Sequence, residues 1–333
     1  MFDNVVDKEY LKNLMEYFDK NLPEKIYDAH THISRARMER IGYDGTPIDE
    51  FRNFFEAAIP RKLDGCLLMA AMSVPAENVY DENLYIASVA RENGFKTGIT
   101  VTPNCKRDVI EKMLKENSEI ALFKPYMTYA PDIANRYETD MLDFAPEWIW
   151  EMANDHEFPV LIHLSHYQNM LSEKANWEQI RYVSEKYPKA KIILAHCAMG
   201  HNVRKLRLGL EHISDLKNIW FDCSGSTETM SIYYCLKAFG PQRMMYGADH
   251  DHGANFGRIV SYGSNFLAIH DVNSLHNGEY PTSYGQQSDY KYQPLTNAHE
   301  GILCLLEATE VLGLTKENKE NIFYNNAYEL FKG

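Results

Sequence analysis

The sequence lacks long apolar runs, paired cysteines and an excess of basic residues. A membrane-spanning helix needs about 18 or more consecutive apolar residues, and no stretch of this chain approaches that length. The six cysteines are scattered without a Cys-x-x-Cys pair, a pattern typical of reduced, buried thiols. We therefore expect a cytoplasmic protein with no membrane partner.

The charge balance is acidic, with 47 acidic and 34 basic residues and a formal net charge of −13. Because binding to phosphates needs a cationic surface, this composition argues against nucleic acid as a partner. Five acidic residues stand among the first 22, unlike the basic start and apolar run of a signal peptide. A small-molecule substrate or another subunit is the expected partner.

Short apolar runs recur along the chain with helical segments between them. The first follows an amphipathic helix predicted from the spacing of Leu11, Leu14, Phe18 and Leu22. Several runs are apolar on both faces, as expected for parallel strands covered by helices. Eight such units predict an α/β fold, a (β/α)8 TIM barrel. A doubly wound open sheet is the alternative, but no glycine-rich phosphate loop supports it. The eight runs are 27–33, 65–73, 95–102, 120–127, 159–165, 191–198, 218–225 and 244–250.

The region from about 250 to 295 differs in composition from the rest of the chain. It is rich in Gly, Asn, Ser and Tyr, and we predict one helix over 256–269. Residues 271–295 show little periodicity, which favours a lid or binding loop at the barrel mouth over a linker, given their tyrosines. Helices over 298–312 and 316–331 close what we expect to be a single domain, 1–333.

Polar side chains stand at the predicted ends of several strands. In the motif Asp-Ala-His-Thr-His, alternation puts His30 and His32 on one face of a strand, where two imidazoles can bind one metal ion. A buried histidine bonded to a backbone carbonyl is the structural alternative. Barrel active sites form where strands end, and convergent polar groups need a shared partner such as a divalent cation. The other strand-end groups are Lys124, His163, His196 and Asp249.

The chain resembles the amidohydrolase superfamily, and within it the amidohydrolase 2 group, which includes relatives of aminocarboxymuconate semialdehyde decarboxylase. The resemblance covers nearly the whole chain in the right order. The His-x-His motif and the closing Gly-Ala-Asp are its more specific parts. The matching segments are DAHTH at 28–32, IHLS at 162–165, ILAHC at 193–197, FGPQRMMYGADH at 239–250 and NIFYNNAYELF at 321–331.

The resemblance implies one divalent metal ion, zinc first and manganese as the alternative. Its implied ligands are His30, His32, His163 and Asp249, with water completing the site. Three imidazoles and a carboxylate suit zinc and lower the pKa of a bound water to about 7. Asp249 would then take the water proton and pass it to a leaving group, while His196 would polarise the carbonyl or hold the oxyanion.

Lys124, Tyr126, Arg35 and His166 are the candidates for substrate binding. In binuclear relatives a carboxylated lysine on the fourth strand bridges two metals, and Lys124 lies on the matching strand. A role with a substrate carboxylate or in the structure is favoured, because an ammonium repels a cation. Arg35 and Arg37 either bind an anionic substrate or lie on a solvated loop.

Further histidines at the ends of these strands are additional candidates for the site. Of His166, His250 and His252, we expect at least two to be ordinary rim residues.

The leading hypothesis is a metal-dependent hydrolase of a small, carboxylate-bearing or sugar-derived lactone, ester or amide that uses a metal-activated water. Non-oxidative decarboxylation or hydration in the same mononuclear site is the alternative. A non-catalytic binding barrel is a third, and a metal-dependent deoxyribonuclease ranks lower because it should carry an acidic residue at position 124. The resemblance also allows a homodimer, to which the N-terminal helix could contribute.

Overall fold

Eight parallel strands form one sheet in the order of the chain. The computed structural model describes residues 7–33, 35, 38, 42, 44–131, 135–269 and 295–332. Each strand pairs with the next, as parallel strands joined by crossover helices do. The strands are β1 Ile26–Ile33, β2 Leu63–Ala70, β3 Lys96–Val101, β4 Ile120–Pro125, β5 Pro159–Ile162, β6 Lys191–Leu194, β7 Ile219–Asp222 and β8 Met244–Met245.

Backbone hydrogen bonds join β1 to the segment that follows β8. Ala29 N donates to Tyr246 O at 3.0 Å, and Asp249 N donates to His30 O at 2.8 Å. The sheet therefore closes on itself, and the predicted (β/α)8 barrel is confirmed. The eighth strand is shorter than the predicted run of 244–250. Regular strand pairing stops after Met245, and the chain continues as the loop that carries Asp249.

Helices pack around the barrel and at its ends. The Pro47–Ala58 helix illustrates the local logic, since Thr46 and Asp49 form a capping box and Pro47 occupies the first turn. The helices are α1 Lys8–Asn21, α2 Pro47–Ala58, α3 Val79–Asn93, α4 Arg107–Glu116, α5 Met141–Phe144, α6 Glu147–Asp155, α7 Lys174–Lys186, α8 Val203–Leu210, α9 Thr229–Phe239, α10 Asn297–Val311, α11 Lys316–Glu320 and α12 Asn326–Phe331.

The end of the chain closes one mouth of the barrel. A π-helical turn, Asn321–Asn325, links α11 to α12 within the segment predicted as one helix. Phe331 of α12 packs into the cluster of strand residues that fills the barrel interior, and its ring lies 6.0 Å from that of Tyr27. Among the described residues, the opposite mouth, where the strands end, is left open for a site.

The region after β8 contains a hairpin, so the helix predicted over 256–269 is wrong. Strands β9 Arg258–Tyr262 and β10 Asn265–Ile269 pair antiparallel, with Tyr262 opposite Asn265. Gly263 in the turn has a φ of 55°, which suits a two-residue hairpin loop. Phe256, Ile259 and Val260 recur at helical spacing, and over so short a segment this spacing does not exclude a hairpin.

Some predictions fall on parts of the chain that the structure does not describe. The lid predicted over 271–295 lies outside the described residues except for Leu295, and Arg37 lies outside them too. None of the helices in the described ranges has the length and hydrophobicity to cross a bilayer. All six cysteines are free, and all but Cys105 are buried.

Candidate metal centre and active site

A cavity of about 560 Å³ opens at the mouth where the strands end. Eight of the residues singled out in the sequence line it. They are His30, His32, Lys124, Tyr126, His163, His196, Asp249 and His252. The (β/α)8 topology brings these groups together, although they come from five different strand ends spread over some 220 residues.

His30 and His32 both face the inside of the barrel because β1 is irregular. Tyr27 and Ala29 belong to the cluster inside the barrel, so unbroken alternation would turn His30 and His32 away from it. The pairing with β2 shifts register between Asp28 and Thr31, which changes the phase of the alternation.

Both rings are held by their Nδ1 atoms. His30 Nδ1 lies 3.1 Å from Asp222 Oδ2, and His32 Nδ1 lies 2.9 Å from the carbonyl oxygen of Ala70. Since both partners only accept, each ring carries its proton on Nδ1 and presents the lone pair of Nε2. Burial lowers the pKa of His30, and it lowers that of His32 further, so both rings are neutral at neutral pH.

The two Nε2 lone pairs face each other at 3.1 Å. In these tautomers neither nitrogen can donate to the other, so a cation is the partner that the pair fits. Two nitrogen ligands around a tetrahedral zinc ion lie roughly 3.3 Å apart. Asp249 Oδ1 lies 3.7 Å from both nitrogens. The donor set therefore fits a divalent metal ion.

Asp249 is the carboxylate at the centre of the cluster. Its Oδ2 lies 3.8 Å from His196 Nδ1 and 3.6 Å from His252 Nδ1. Burial, followed by the nearby carboxylate of Asp222, raises the pKa of Asp249 well above its ordinary value. A bound cation would offset this cost, because it favours the ionised carboxylate.

His196 lies on an unusual turn directly after β6. Residues 196–199 all have φ between 52° and 59°, in the left-handed region that costs energy for side chains other than glycine and recurs at functional sites. The His196 Nδ1 lies 2.8 Å from the carbonyl oxygen of Ser224, so it donates there and Nε2 keeps its lone pair. Burial, then His163, lowers the pKa of His196 well below its ordinary value. A neutral ring with a free Nε2 lone pair suits a base or a ligand, whereas an oxyanion donor would need a hydrogen on Nε2.

His163 stands at the end of β5 beside His196, with the two ring centroids 5.0 Å apart. Its Nδ1 donates to Leu164 O at 3.1 Å, and its Nε2 accepts from the Tyr167 hydroxyl at 3.3 Å. Burial, together with the charge of Lys124, lowers the pKa of His163 to about 3.

The donors that lie closest together differ from the expected ligand set. Ligand atoms of His30, His196 and Asp249 lie within 4.8 Å of one another. His32 is in contact with His30 and Asp249, and His163 is next to His196. His196 is therefore as well placed to be a ligand as His163.

Lys124 is a buried cation in the cavity wall. It is 1% exposed, and its Nζ has no hydrogen-bond partner among the described residues. Burial lowers its pKa to about 8, although the carboxylates of Asp222 and Asp249 favour the charged form. Tyr126 lies beside it, with its ring centroid 5.0 Å from Nζ and its hydroxyl donating to Ala70 O at 2.8 Å. An unpartnered buried ammonium is a ready site for an anionic group.

Two candidates for substrate binding lie outside the cavity lining. The Arg35 guanidinium pairs with Glu82 and stacks over the Tyr85 ring, 4.3 Å from its centroid. His166 Nε2 lies 2.9 Å from Asp140 Oδ1. Both side chains already have partners on neighbouring helices or loops, so nothing in their placement points them toward a ligand.

The other two histidines near the end of β8 have different surroundings. His250 Nε2 lies 2.8 Å from Glu50, and both residues are buried between β8 and α2. His252, in contrast, lines the cavity beside Asp249.

Sequence reasoning missed Asp222 at the end of β7. Its Oδ2 accepts from His30, and its Oδ1 accepts from the backbone N–H groups of His196 at 3.2 Å and Ser224 at 3.1 Å. Burial raises its pKa, but His30 and these hydrogen bonds outweigh burial, so the pKa lies below its ordinary value. An ionisable residue ending the apolar run NIWFD was the available signal. Asp222 thus supports two residues of the cluster at once.

The chain was compared with known protein families and structures. The family model described as Amidohydrolase, for the amidohydrolase 2 group, matches residues 27–333. The chain belongs to the amidohydrolase family. A comparison with curated proteins gave no sequence match.

Solved structures with the same fold include both hydrolases and decarboxylases. This amidohydrolase family member is similar to a candidate 2-pyrone-4,6-dicarboxylic acid hydrolase from Pseudomonas putida, at 14% identity and a TM-score of 0.54 over 93% of this chain and 98% of the other. It is similar to 5-carboxyvanillate decarboxylase from Sphingomonas paucimobilis, at 12% identity and a TM-score of 0.54 over 93% and 99% of the two chains. A 5-carboxyvanillate decarboxylase from Novosphingobium aromaticivorans, solved with bound manganese, matches at 12% identity and a TM-score of 0.53 over 95% and 98%. At these identities the likeness shows the fold.

Proposed function

We propose that this protein uses one divalent metal ion, zinc or manganese, to hydrolyse a small lactone, ester or amide that bears a carboxylate or derives from a sugar. The observation that carries the proposal is the pair of Nε2 lone pairs of His30 and His32, 3.1 Å apart and facing Asp249 inside the cavity. His163 and His196 complete the set of neutral imidazoles. Neutral histidines and a carboxylate are the donors that such ions take in proteins.

The ion would supply a Lewis acid and lower the pKa of water at this position. Asp249 accepts the proton of the attacking water and then passes it to the leaving group. We assign this transfer to its Oδ2, which faces His196 and His252. Asp222 fixes the ring of His30, and the Ser224 carbonyl fixes that of His196, so neither ring rotates during the reaction. Through Nε2, His196 acts as a ligand or a base.

Lys124 binds the substrate carboxylate. Its ammonium is buried and has no partner within the described chain. Because Lys124 lines the cavity, an anionic group of a bound substrate can pair with it there. Such a contact orients the substrate so that its carbonyl meets the cluster. Carboxylation of Lys124 to bridge a second metal is not part of the proposal.

Decarboxylation is the second candidate. A carboxylate held near the cluster could leave as CO₂, and Asp249 in its protonated form would donate a proton to the carbon left behind. The cavity provides the same groups for both reactions, so only the products distinguish them.

Metal content tests the site. Wild-type protein loaded with zinc or manganese and then desalted is expected to retain one ion per chain by elemental analysis. His30→Ala and Asp249→Ala are expected to lose it, whereas His166→Ala, a histidine outside the cavity lining, is expected to retain it. Full retention in both ligand variants would refute the assignment, and two ions per chain would move Lys124 into the ligand set.

The reaction is tested with a panel of carboxylate-bearing and sugar-derived lactones, esters and amides, alongside aromatic and enoic acids. Hydrolysis in isotopically labelled water is expected to place one labelled oxygen in the product. Release of CO₂ without incorporation of water would overturn hydrolysis in favour of the second candidate.

A further inference from the structure

The hairpin of residues 258–269 covers part of the cavity mouth, and we call it the roof hairpin. Thr227 holds its first strand, since the Thr227 hydroxyl accepts from Ile259 N at 2.8 Å and donates to Ile259 O at 2.6 Å. Ser261 Oγ donates to His201 O at 3.2 Å and accepts from Val203 N at 3.1 Å. The hairpin is thus fixed to the loops that follow β6 and β7.

The two faces of the roof hairpin differ in what they contact. Ile259, Phe266 and Ala268 line the cavity. In an antiparallel pair the residues between them turn to the other side, and Leu267 is accordingly 48% exposed. An apolar wall therefore lies across the cavity mouth.

This wall reaches close to the metal centre. The ring of Phe266 lies 5.2 Å from that of His201, and the ring of His201 stacks 6.4 Å from that of His196. Met72 and Met199 also line the cavity. A substrate whose carbonyl meets His196 must therefore place another part of its structure against apolar side chains.

We propose that the roof hairpin selects substrates carrying an apolar alkyl or ring group, which packs on Phe266 and Ile259 while the carboxylate lies at Lys124. This inference rests on the proposed function and chooses between its two substrate classes. A sugar-derived substrate would bury hydroxyl groups against Ile259, Phe266 and Ala268, whose side chains offer them no hydrogen bonds. Phe266 is the specificity-determining residue of this wall.

Binding of straight-chain monocarboxylic acids of increasing length to metal-loaded protein tests the proposal by calorimetry. In the wild type, each added methylene that reaches the wall is expected to tighten Kd about fourfold. In Phe266→Ala, Kd is expected to change less with each added methylene for short acids, and the acid that binds most tightly is expected to be a longer one. Leu267→Ala, the neighbour on the exposed face, is expected to behave as wild type.

The controls separate folding, this inference and the proposed function. Phe266→Leu keeps an apolar wall and is expected to retain most of the chain-length dependence, so a general folding defect in Phe266→Ala is recognised by comparison. Equal Kd values along the series in wild type, or the same change in Leu267→Ala as in Phe266→Ala, would overturn the roof hairpin as a selector. Chain-length dependence without hydrolysis of any lactone, ester or amide of the panel would contradict the proposed function and still support the selector.

Discussion

Asp222 and Lys124 show how single residues set the properties of the metal centre without being among its expected ligands. Asp222 fixes the proton of His30 on Nδ1 and so exposes the Nε2 lone pair. Burial lowers the pKa of the neighbouring His163, and the positive charge of Lys124 lowers it further. We therefore expect metal affinity and substrate affinity to depend on residues next to the proposed ligands.

Replacing Asp222 by Asn is expected to lower metal affinity about 10- to 100-fold, because a weaker neutral acceptor then holds His30. Titration of metal-free protein with zinc measures the change. Asp215→Asn is the matched control, since Asp215 pairs with Arg181 on the surface, and its zinc affinity is expected to equal that of wild type. Unchanged affinity in Asp222→Asn would show that His30 does not need this partner.

Carboxylate binding is expected to weaken as the pH rises through about 8, because burial lowers the pKa of Lys124 to about 8 and the neutral amine formed above that pH no longer attracts an anion. Kd for a bound acid, measured from neutral to alkaline pH, follows this change. Lys124→Met is expected to bind about 10- to 100-fold more weakly at neutral pH and to lose the dependence. Lys124→Arg stays charged and is expected to keep binding at alkaline pH. The same alkaline loss in Lys124→Met would assign the titration to another group.

At the scale of secondary-structure elements, β1 and the loop after β8 are packed closely together. Asp28 Oδ1 accepts from Ala248 N at 3.0 Å and from His30 N at 3.1 Å, which ties the two segments together. A Cβ on Gly247 would lie 2.8 Å from His30 Cβ and 3.1 Å from His30 N. The glycine of the Gly-Ala-Asp motif therefore lets β8 approach the metal-binding strand.

Gly247→Ala is expected to displace His30, to lower zinc affinity at least about tenfold and to destabilise the fold by about 1–3 kcal/mol. Zinc titration and thermal unfolding measure the two effects. Gly301→Ala is the control, because the nearest atom to its added Cβ is 3.6 Å away and the site lies inside α10. That variant is expected to be neutral or more stable by up to about 1 kcal/mol. Equal behaviour of the two variants would contradict the close approach at Gly247.

At the scale of the whole molecule, the closed barrel holds several neutral histidines and two carboxylates in one buried place. Polar side chains converge there from the ends of strands far apart in sequence. Such a cluster is costly without a cation, since the burial that lowers the pKa of the histidines also raises the pKa of Asp249. We therefore expect a bound ion to stabilise the fold as well as to supply the chemistry.

Removal of the metal by a chelator is expected to lower Tm by roughly 5 °C relative to protein in excess zinc, because an ion present at about 100 times Kd stabilises the folded state by about 2.7 kcal/mol. Differential scanning calorimetry checks this. His166→Ala should show the same shift, and His30→Ala should show little. A Tm that does not respond to zinc in wild type would argue against a bound ion in the folded protein.

Particular elements show why sequence alone predicted some parts of this structure and missed others. Each barrel strand is a short apolar run bounded by turns, so all eight could be placed, and the strand-end rule then put His30, His163, His196 and Asp249 at one mouth. The hairpin of 258–269 was mistaken for a helix because a short segment carries little periodic signal. Arg35 and His166 were offered as ligand contacts from their position in sequence, and their partners Glu82 and Asp140 became visible only in the fold.

The sequence by itself determined the eight-unit barrel, the family resemblance and the candidate donors, because local patterning records burial and strand ends. Tertiary structure decided how the donors are used. Asp222 is 192 residues away from the His30 ring it holds, the register shift in β1 turns both histidines inward, and the Ser224 carbonyl fixes the His196 tautomer. The opening motif provides two histidines. What makes them a metal-binding pair is a set of contacts over long sequence separations, which no local pattern encodes.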